Sequence, residues 1–394
     1  MKILQLFDFF SPQGGGTVDV IYKLSQALIQ KGHEVTIYTS DFKLDREYID
    51  SLQGVKVHPF SCWWNPLGLF FTPGIIAEAK RRLKDFNIIH LHWHRSFQAI
   101  VIHHYAKIYN IPYVIDDHGT PHRKVGAKGY KRLLWWIFDV TFGPGILRDA
   151  SRVIAETKVG IDEYRELGVS QNKIALITPP FTIEGFSRLP SPGLFRSKYN
   201  IKEKHIVLFL GRLHWMKGLD FLIESFYELT KSRNDVILVI VGNDDGYKAT
   251  IDKLIDKLDL PDKVLFTGFL GGDEKLSALV DADMLVQTSV YEQGTGVPFE
   301  AILCNTPIIV TGHTGSGENV SKIDAGYLVE YGNNNELRDM IQLILDKPAE
   351  AAGKTQKAKE YITVNLSIDR KIGEYERLYT SCIEENKSLI RSKT

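Results

Sequence analysis

The sequence predicts an α/β protein with two mostly parallel, doubly wound sheets in tandem. Three observations carry that expectation. Short apolar runs alternate with helical patterns along the 394-residue chain, and strands alternating with helices fold as right-handed βαβ units. The rhythm breaks at "TPPFTIEGFSRLPSPG" (178–193), where four prolines and two glycines in sixteen residues read as an interdomain linker. Each half opens with an apolar strand that runs into a glycine turn. The length suits two domains, and a hydrophobic content of 44% lets both bury a core.

In the first half the expected strands are residues 2–7, 34–39, 87–91, 112–116, 152–155 and 173–177. Between the first two, Val20, Ile21, Leu24, Ala27 and Leu28 share one face of a helix over Val18–Gln30. The opening "MKILQLFDFF" is a buried first strand rather than a secretory leader: Asp8 interrupts a short apolar run, and no small-residue cleavage site follows. The second half begins with "HIVLFLG" (205–211), then "VILVIVG" (236–242), "VLFTG" (264–268), "MLVQTS" (284–289) and "PIIVT" (307–311). Leu219, Leu222, Ile223, Phe226 and Leu229 form a helical stripe between its first two strands. After about residue 333 the pattern is mainly helical and ends in a charged helix around 367–391. The expected domains are 1–180 and 181–366. Ligands of such sheets bind beyond the carboxyl ends of the strands, which places the expected site in the cleft between the domains.

Composition removes several functions. Lys+Arg and Asp+Glu are both 48, so the formal net charge is zero and no nucleic-acid partner is expected. Cys62, Cys304 and Cys382 show no CxxC or metal spacing and read as reduced thiols of a cytoplasmic protein. No apolar run reaches the length of a transmembrane helix.

Chemistry concentrates at strand ends. "SPQGGGTVDV" places glycines before a helix, a turn that either aims amides at an anion or is merely structural. In "GRLHWMKGLD", Arg212 and Lys217 bracket the turn after the second domain's first strand, two cations suited to a diphosphate. "YEQGTGVPFEA" (291–301) sets Glu292 and Glu300 on either side of a glycine turn. A short helix over Val297–Cys304 tolerates Pro298 near its start and presents amides of residues 294–297 to phosphate or sugar oxygens. The histidines of "HLHWH" (His90, His92, His94) fall on one strand face by their spacing of two, yet no cysteine or carboxylate nearby completes a familiar metal site, so no metal is expected. His118 differs because it closes the strand "PYVID" and precedes Gly119, while Asp116 and Asp117 read as strand-end caps.

These residues together resemble a retaining glycosyltransferase of family 4, over nearly the whole chain. The matching pieces are "LSQALIQKGHEVTIYT" with its upstream glycines (15–39), "FNIIHLH" and "IPYVIDDHG" (86–119), "GRLHWMKGLD" (211–220), "VLFTGFL" (264–270) and "YEQGTGVPFEAILCNTPIIVT" (291–311). The resemblance implies a GT-B fold, two Rossmann-like domains facing across a deep cleft, with the acceptor on the side of 1–180 and the donor on 181–366. It implies that the last helix, 367–391, packs back on the first domain. It implies catalytic roles for His118, near the donor sugar, and Glu292, on the sugar hydroxyls. Glu300 would bind the nucleotide ribose, and Gly294, Thr295, Gly296 and Val297 would line sugar and phosphate. Gly15, Gly16, Arg212 and Lys217 would face the diphosphate, without a metal ion, and Phe269 and Leu270 would flank the base. No cofactor is required beyond the UDP- or GDP-sugar substrate. The chain departs from the family at Thr295, where phenylalanine is usual, and at Pro179-Pro180-Phe181, where Pro-Asn-Gly is usual.

Residues 122–138, "HRKVGAKGYKRLLWWIF", combine Arg123, Lys124, Lys128, Lys131 and Arg132 with Leu133, Leu134, Trp135 and Trp136. The segment suits an anionic membrane surface or a domain helix with a basic outer face. "CWWNPLGLFF" (62–71) reads as exposed apolar surface or an acceptor loop. Together they fit a cytoplasmic enzyme, peripheral on the inner membrane face, that serves a saccharide or polyprenyl-lipid-linked acceptor in cell-envelope polysaccharide or glycan synthesis. The alternatives are a non-catalytic sugar-nucleotide sensor or scaffold and a nucleotide-sugar epimerase on the same fold. A dehydrogenase is disfavoured by the missing GxGxxG.

Overall fold

The computed structural model describes residues 1–11, 16–52, 54–65, 68–119, 129–181 and 183–392. The chain forms two compact units, Met1–Thr182 with Leu366–Thr394, and Ile183–Asn365.

The first unit carries seven parallel strands: β1 (Lys2–Leu6), β2 (Glu34–Ser40), β3 (Lys56–Phe60), β4 (Ile88–His92), β5 (Tyr113–Asp116), β6 (Arg152–Ala155) and β7 (Ile174–Leu176). Their spatial order is β3-β2-β1-β4-β5-β6-β7. Six lie where apolar runs place them, and β3 has no such signal. Its sequence KVHPF is largely solvent-facing and holds a proline, as an edge strand can.

Side chains alternate across the sheet. Leu4, Leu91 and Ile115 enter one core with Ile102, Ile146 and Val153; Ile3, Ile88 and Val114 enter the other with Leu24 and Leu28 of α1 (Gly16–Gln30). That second core is closed by the C-terminal helix Ile368–Arg391, which buries Ile372, Tyr375, Tyr379 and Cys382. Burying a side chain such as Ile372 stabilises by roughly 2 kcal/mol, so this helix is a structural layer of the unit. Two further helices matter below. In α2 (Phe97–Tyr109), the Ser96 hydroxyl caps the first turn by accepting from Ala99 N at 3.0 Å. Helix α3 spans Gly129–Thr141.

The second unit has six parallel strands: β8 (His205–Leu210), β9 (Val236–Val241), β10 (Val264–Gly268), β11 (Met284–Gln287), β12 (Ile308–Thr311) and β13 (Tyr327–Val329). Their order is β10-β9-β8-β11-β12-β13. The apolar runs mark all but β13, which is only three residues long and partly exposed. Helices α4 (Leu219–Thr230), α5 (Gly272–Asp281), α6 (Gly296–Leu303) and α7 (Gly315–Lys322) connect or follow these strands. From β8 the chain winds one way to β9 and β10, and from β11 it winds the other way to β12 and β13. The switch point of this sheet therefore lies between β8 and β11, the place where doubly wound sheets bind ligands. No helix among the described residues is long and apolar enough to cross a membrane.

Candidate functional site

The two loops at the switch point of the second unit are built to touch. Gly218, between β8 and α4, sits at φ 62°, and a Cβ there would lie 2.0 Å from the Thr288 carbonyl oxygen. Only glycine lets the β8–α4 loop approach the end of β11 so closely. The Thr288 hydroxyl then donates to Gly218 O at 2.8 Å, and Val290 N donates to Met216 O at 2.9 Å. This contact brings the Lys217 ammonium onto the Glu292 carboxylate, both half-buried. Ser289 Oγ lies 3.4 Å from the same carboxylate.

Glu300, on α6, pairs with Lys275 of α5 at 2.9 Å. Both glutamates of "YEQGTGVPFEA" are thus matched with a lysine from another segment. Between them, the ladder of α6 starts with Phe299 N donating to Thr295 O at 3.0 Å. Pro298 has no N–H, so the amides of Gly296 and Val297 stand outside the ladder at the positive end of the helix. Gly296 is exposed, while Gly294 and Val297 are half-buried.

A third segment holds this turn in place. Gly315 N donates to Glu292 O at 2.7 Å, and Thr311 Oγ1 donates to Ser289 O at 2.6 Å. Asn319 Nδ2, on α7, donates to Thr295 Oγ1 at 2.8 Å. Sequence reasoning missed Lys275 and Asn319. "GHTGSGEN" (312–319) has the threonine and glycines of a helix start, a signal that could have drawn attention to it. Arg212 is not brought to Lys217: its guanidinium is 66% exposed and bonds Asp245. After β10, Leu270 is buried and the Phe269 ring is exposed.

In the first unit, His118 follows β5 with φ 46°, a left-handed conformation that Gly119 continues. His118 N donates to Asp116 Oδ1 at 3.0 Å, so Asp116 caps its own turn as expected. The ring has partners on both sides. Nδ1 lies 3.3 Å from Glu156 and 3.6 Å from Asp116, and Nε2 lies 2.7 Å from His92 Nδ1. Burial opposes charge on His118, but Asp116 and Glu156 outweigh it and push its pKa up to about 9. Burial also drives His90 and His92 well below the usual histidine range, so both are neutral. His92 Nε2 donates to Gln5 Oε1 at 3.0 Å, leaving Nδ1 as the acceptor for His118. Asp116, His118 and Glu156 offer ligand atoms within 4.8 Å of one another.

One expectation is corrected here. His90 and His92 share a face with ring centroids 3.9 Å apart, but His94 does not join them. The strand ends at His92, Trp93 turns the chain with φ 110°, and His94 Nδ1 donates to Asp117 at 2.6 Å. Asp117 therefore partners His94 rather than capping the strand; burial would raise its pKa, and His94 pulls it below the usual range. Gly16 opens α1, whereas Gly15 lies outside the described residues, as do 122–128 of the basic segment.

Known proteins match the chain in both units. The family model described as "Glycosyl transferases group 1" matches residues 194–362, and that described as "Glycosyltransferase Family 4" matches residues 14–184. The chain is similar to N-acetyl-alpha-D-glucosaminyl L-malate synthase of Bacillus anthracis, 25% identical over 96% of this chain and 97% of that one. It is 28% identical to the phosphatidylinositol N-acetylglucosaminyltransferase GPI3 subunit of Saccharomyces cerevisiae, over 86% of this chain and 74% of that one. Among solved structures, Anabaena HepE in complex with UDP and glucose matches with a TM-score of 0.79 at 19% identity, covering 97% of this chain and 100% of that one. At that identity the likeness shows the fold alone.

Proposed function

The chain belongs to glycosyltransferase family 4, its two doubly wound sheets are the Rossmann-like pair of the GT-B fold, and we propose that it is a retaining, metal-independent enzyme. In this reading it moves a sugar from a UDP- or GDP-sugar to a saccharide or lipid-linked acceptor of cell-envelope polysaccharide or glycan synthesis. The observation that carries the reading is the meeting of Lys217 and Glu292 at the switch point of the second unit. A donor placed there takes both groups at once. Its diphosphate draws the Lys217 ammonium, and its sugar hydroxyls draw the Glu292 carboxylate. Glu300, held by Lys275, takes the ribose, and the amides of Gly296 and Val297 face the phosphate. Arg212 reaches the diphosphate by exchanging Asp245 for it. The Saccharomyces relative, named for transfer to phosphatidylinositol, supports the lipid-linked branch.

In the reaction, the anomeric C–O bond to the diphosphate breaks and its electron pair goes to the departing phosphate oxygen. The acceptor oxygen bonds the anomeric carbon from the same face, and its proton passes to that phosphate oxygen. Lys217 and the helix-start amides stabilise the charge that develops on the leaving group. His118 enters as a fixed cation. Both its ring nitrogens donate within the protein, so it is not the base that takes the acceptor proton.

Thermal-shift measurement with UDP, GDP and ADP tests the donor site, because a ligand that binds the folded state raises apparent stability. UDP or GDP is expected to shift the melt; no shift with any of the three sinks the reading. Glu300→Ala should weaken nucleotide binding about tenfold or more, roughly 1.4 kcal/mol. Glu292→Ala should retain nucleotide affinity and lose turnover. The anomeric configuration of the product, read by NMR, decides retention.

A further inference from the structure

We propose that α3 is a docking helix for an anionic lipid surface, with its outward apolar arc as the inserting face. The inference rests on the reading that the acceptor is carried on lipid, and it assigns the part of the fold that meets it.

Helix α3 is fixed in rotation by its inward side. Asp139 accepts from Arg95 Nε at 2.7 Å and Nη2 at 3.3 Å, with side chains only 4% and 2% exposed. The Arg95 guanidinium lies 5.0 Å from the centroid of the buried Trp135 ring, and the Lys131 ammonium lies 5.2 Å from it. Anchored this way, the helix presents Tyr130, Leu133, Trp136, Ile137 and Val140 outward, each between 41% and 66% exposed. At 100° per residue these five positions fill one continuous arc of about 120°. That is the width of stripe a globular helix turns toward a core, and here it faces solvent.

Charge selects the occupant. Within α3, Lys131 and Arg132 are the cations, and the acid, Asp139, is already neutralised by Arg95. Arg123, Lys124 and Lys128 precede the helix in the sequence. A second copy of the chain on this arc would bring like charges together, whereas an anionic bilayer complements them. Trp136 and Tyr130 are side chains that favour the water–lipid boundary. Trp63 and Trp64, 75% and 68% exposed, stand in the segment after β3. That segment leaves the carboxyl end of β3, as Asp117 to Gly119 leave that of the parallel strand β5, so both start from the same side of this unit's sheet.

Vesicle flotation of the full chain tests the proposal. Vesicles of phosphatidylcholine mixed equally with phosphatidylglycerol should carry about tenfold more protein than phosphatidylcholine alone, and high salt should release several-fold of it. Leu133→Glu with Trp136→Glu should cut the bound fraction about tenfold. Its melting curve and UDP-induced thermal shift should match wild type. Should that pair fail to fold, Trp136→Phe serves: brominated lipid in anionic vesicles should quench wild-type tryptophan fluorescence more than that of the variant. Three results overturn the docking role: no flotation of wild type with anionic vesicles, equal flotation of the double variant, or a solution dimer that the double variant dissolves. A chain that binds UDP but does not float refutes docking alone. One that floats but binds no nucleotide supports docking and refutes the donor-site reading.

Discussion

Replacing Glu156 by glutamine tests the charge state of His118. The groups facing the ring are Glu156 at 3.3 Å, Asp116 at 3.6 Å and neutral His92 at 2.7 Å, with Asp117 adding to the negative surroundings. The rise from the ordinary 6.5 to about 9 is worth roughly 3 kcal/mol in favour of the charged form. Because the folded pKa is raised, that stabilisation is fully present below 6.5 and is lost as pH climbs through about 9. Glu156→Gln leaves as counterion Asp116, whose own carboxyl burial pushes up to about 7, and should lower the His118 pKa. NMR titration of the ring protons, assigned with His118→Gln, reads the value directly. Denaturant melts at about pH 6 and about pH 10 read its consequence. Wild type should lose stability on the alkaline side beyond what His118→Gln loses, and Glu156→Gln should lose it at lower pH. A wild-type His118 that titrates at or below 6.5, or a variant that titrates like wild type, refutes the fixed cation.

Three further outcomes follow from packing. Gly218→Ala adopts a left-handed conformation at a cost of roughly 1–2 kcal/mol and drives a Cβ into the Thr288 carbonyl; the melting temperature should fall by several degrees and the nucleotide-induced shift should vanish. An unchanged melt would show that the loops do not interlock. Thr295→Val and Asn319→Ala each remove the same hydrogen bond, so each should cost about 1 kcal/mol in stability. The double variant should cost little more than either single change, and full additivity would separate the two residues. Arg95→Met leaves Asp139 buried without its partner and should cost about 3–5 kcal/mol in a denaturant melt, most of it recovered when Asp139→Leu is added.

The strands were legible wherever both faces are buried, because a parallel strand in that setting is a continuous apolar run. β3 and β13 escaped for the opposite reason: one is a solvent-facing edge and the other only three residues long. The site divides in the same way. Glu292, Glu300 and the turn between them lie in one stretch, so their spacing alone raised a question. Their partners do not. Lys217 reaches Glu292 across 75 positions and Lys275 reaches Glu300 across 25, and no periodicity connects residues on different loops. Glu156 was within reach of reasoning. It follows β6 directly, as Asp117 and His118 follow β5, and the two strands are neighbours. A residue just beyond a parallel strand faces its counterpart beyond the next, which is the logic that marked His118.

Thr295, where the chain departs from the family pattern, has a structural task of its own. At a sugar site, threonine in place of phenylalanine invites an explanation through a direct contact with the donor. The structure gives the side chain other work. It is only 6% exposed, and its hydroxyl accepts from Asn319 on α7. In the proposed donor site, what the turn offers a ligand is backbone, the amides of Gly296 and Val297 beside Glu292. The Thr295–Asn319 bond fixes where those amides point, and so does the Gly315 N–Glu292 O bond at the other end of the turn. A hydrogen bond from α7 thus holds one end of the turn where the family would place an aromatic ring. In the proposed donor site, Thr295 then acts on the donor through the placement of that backbone.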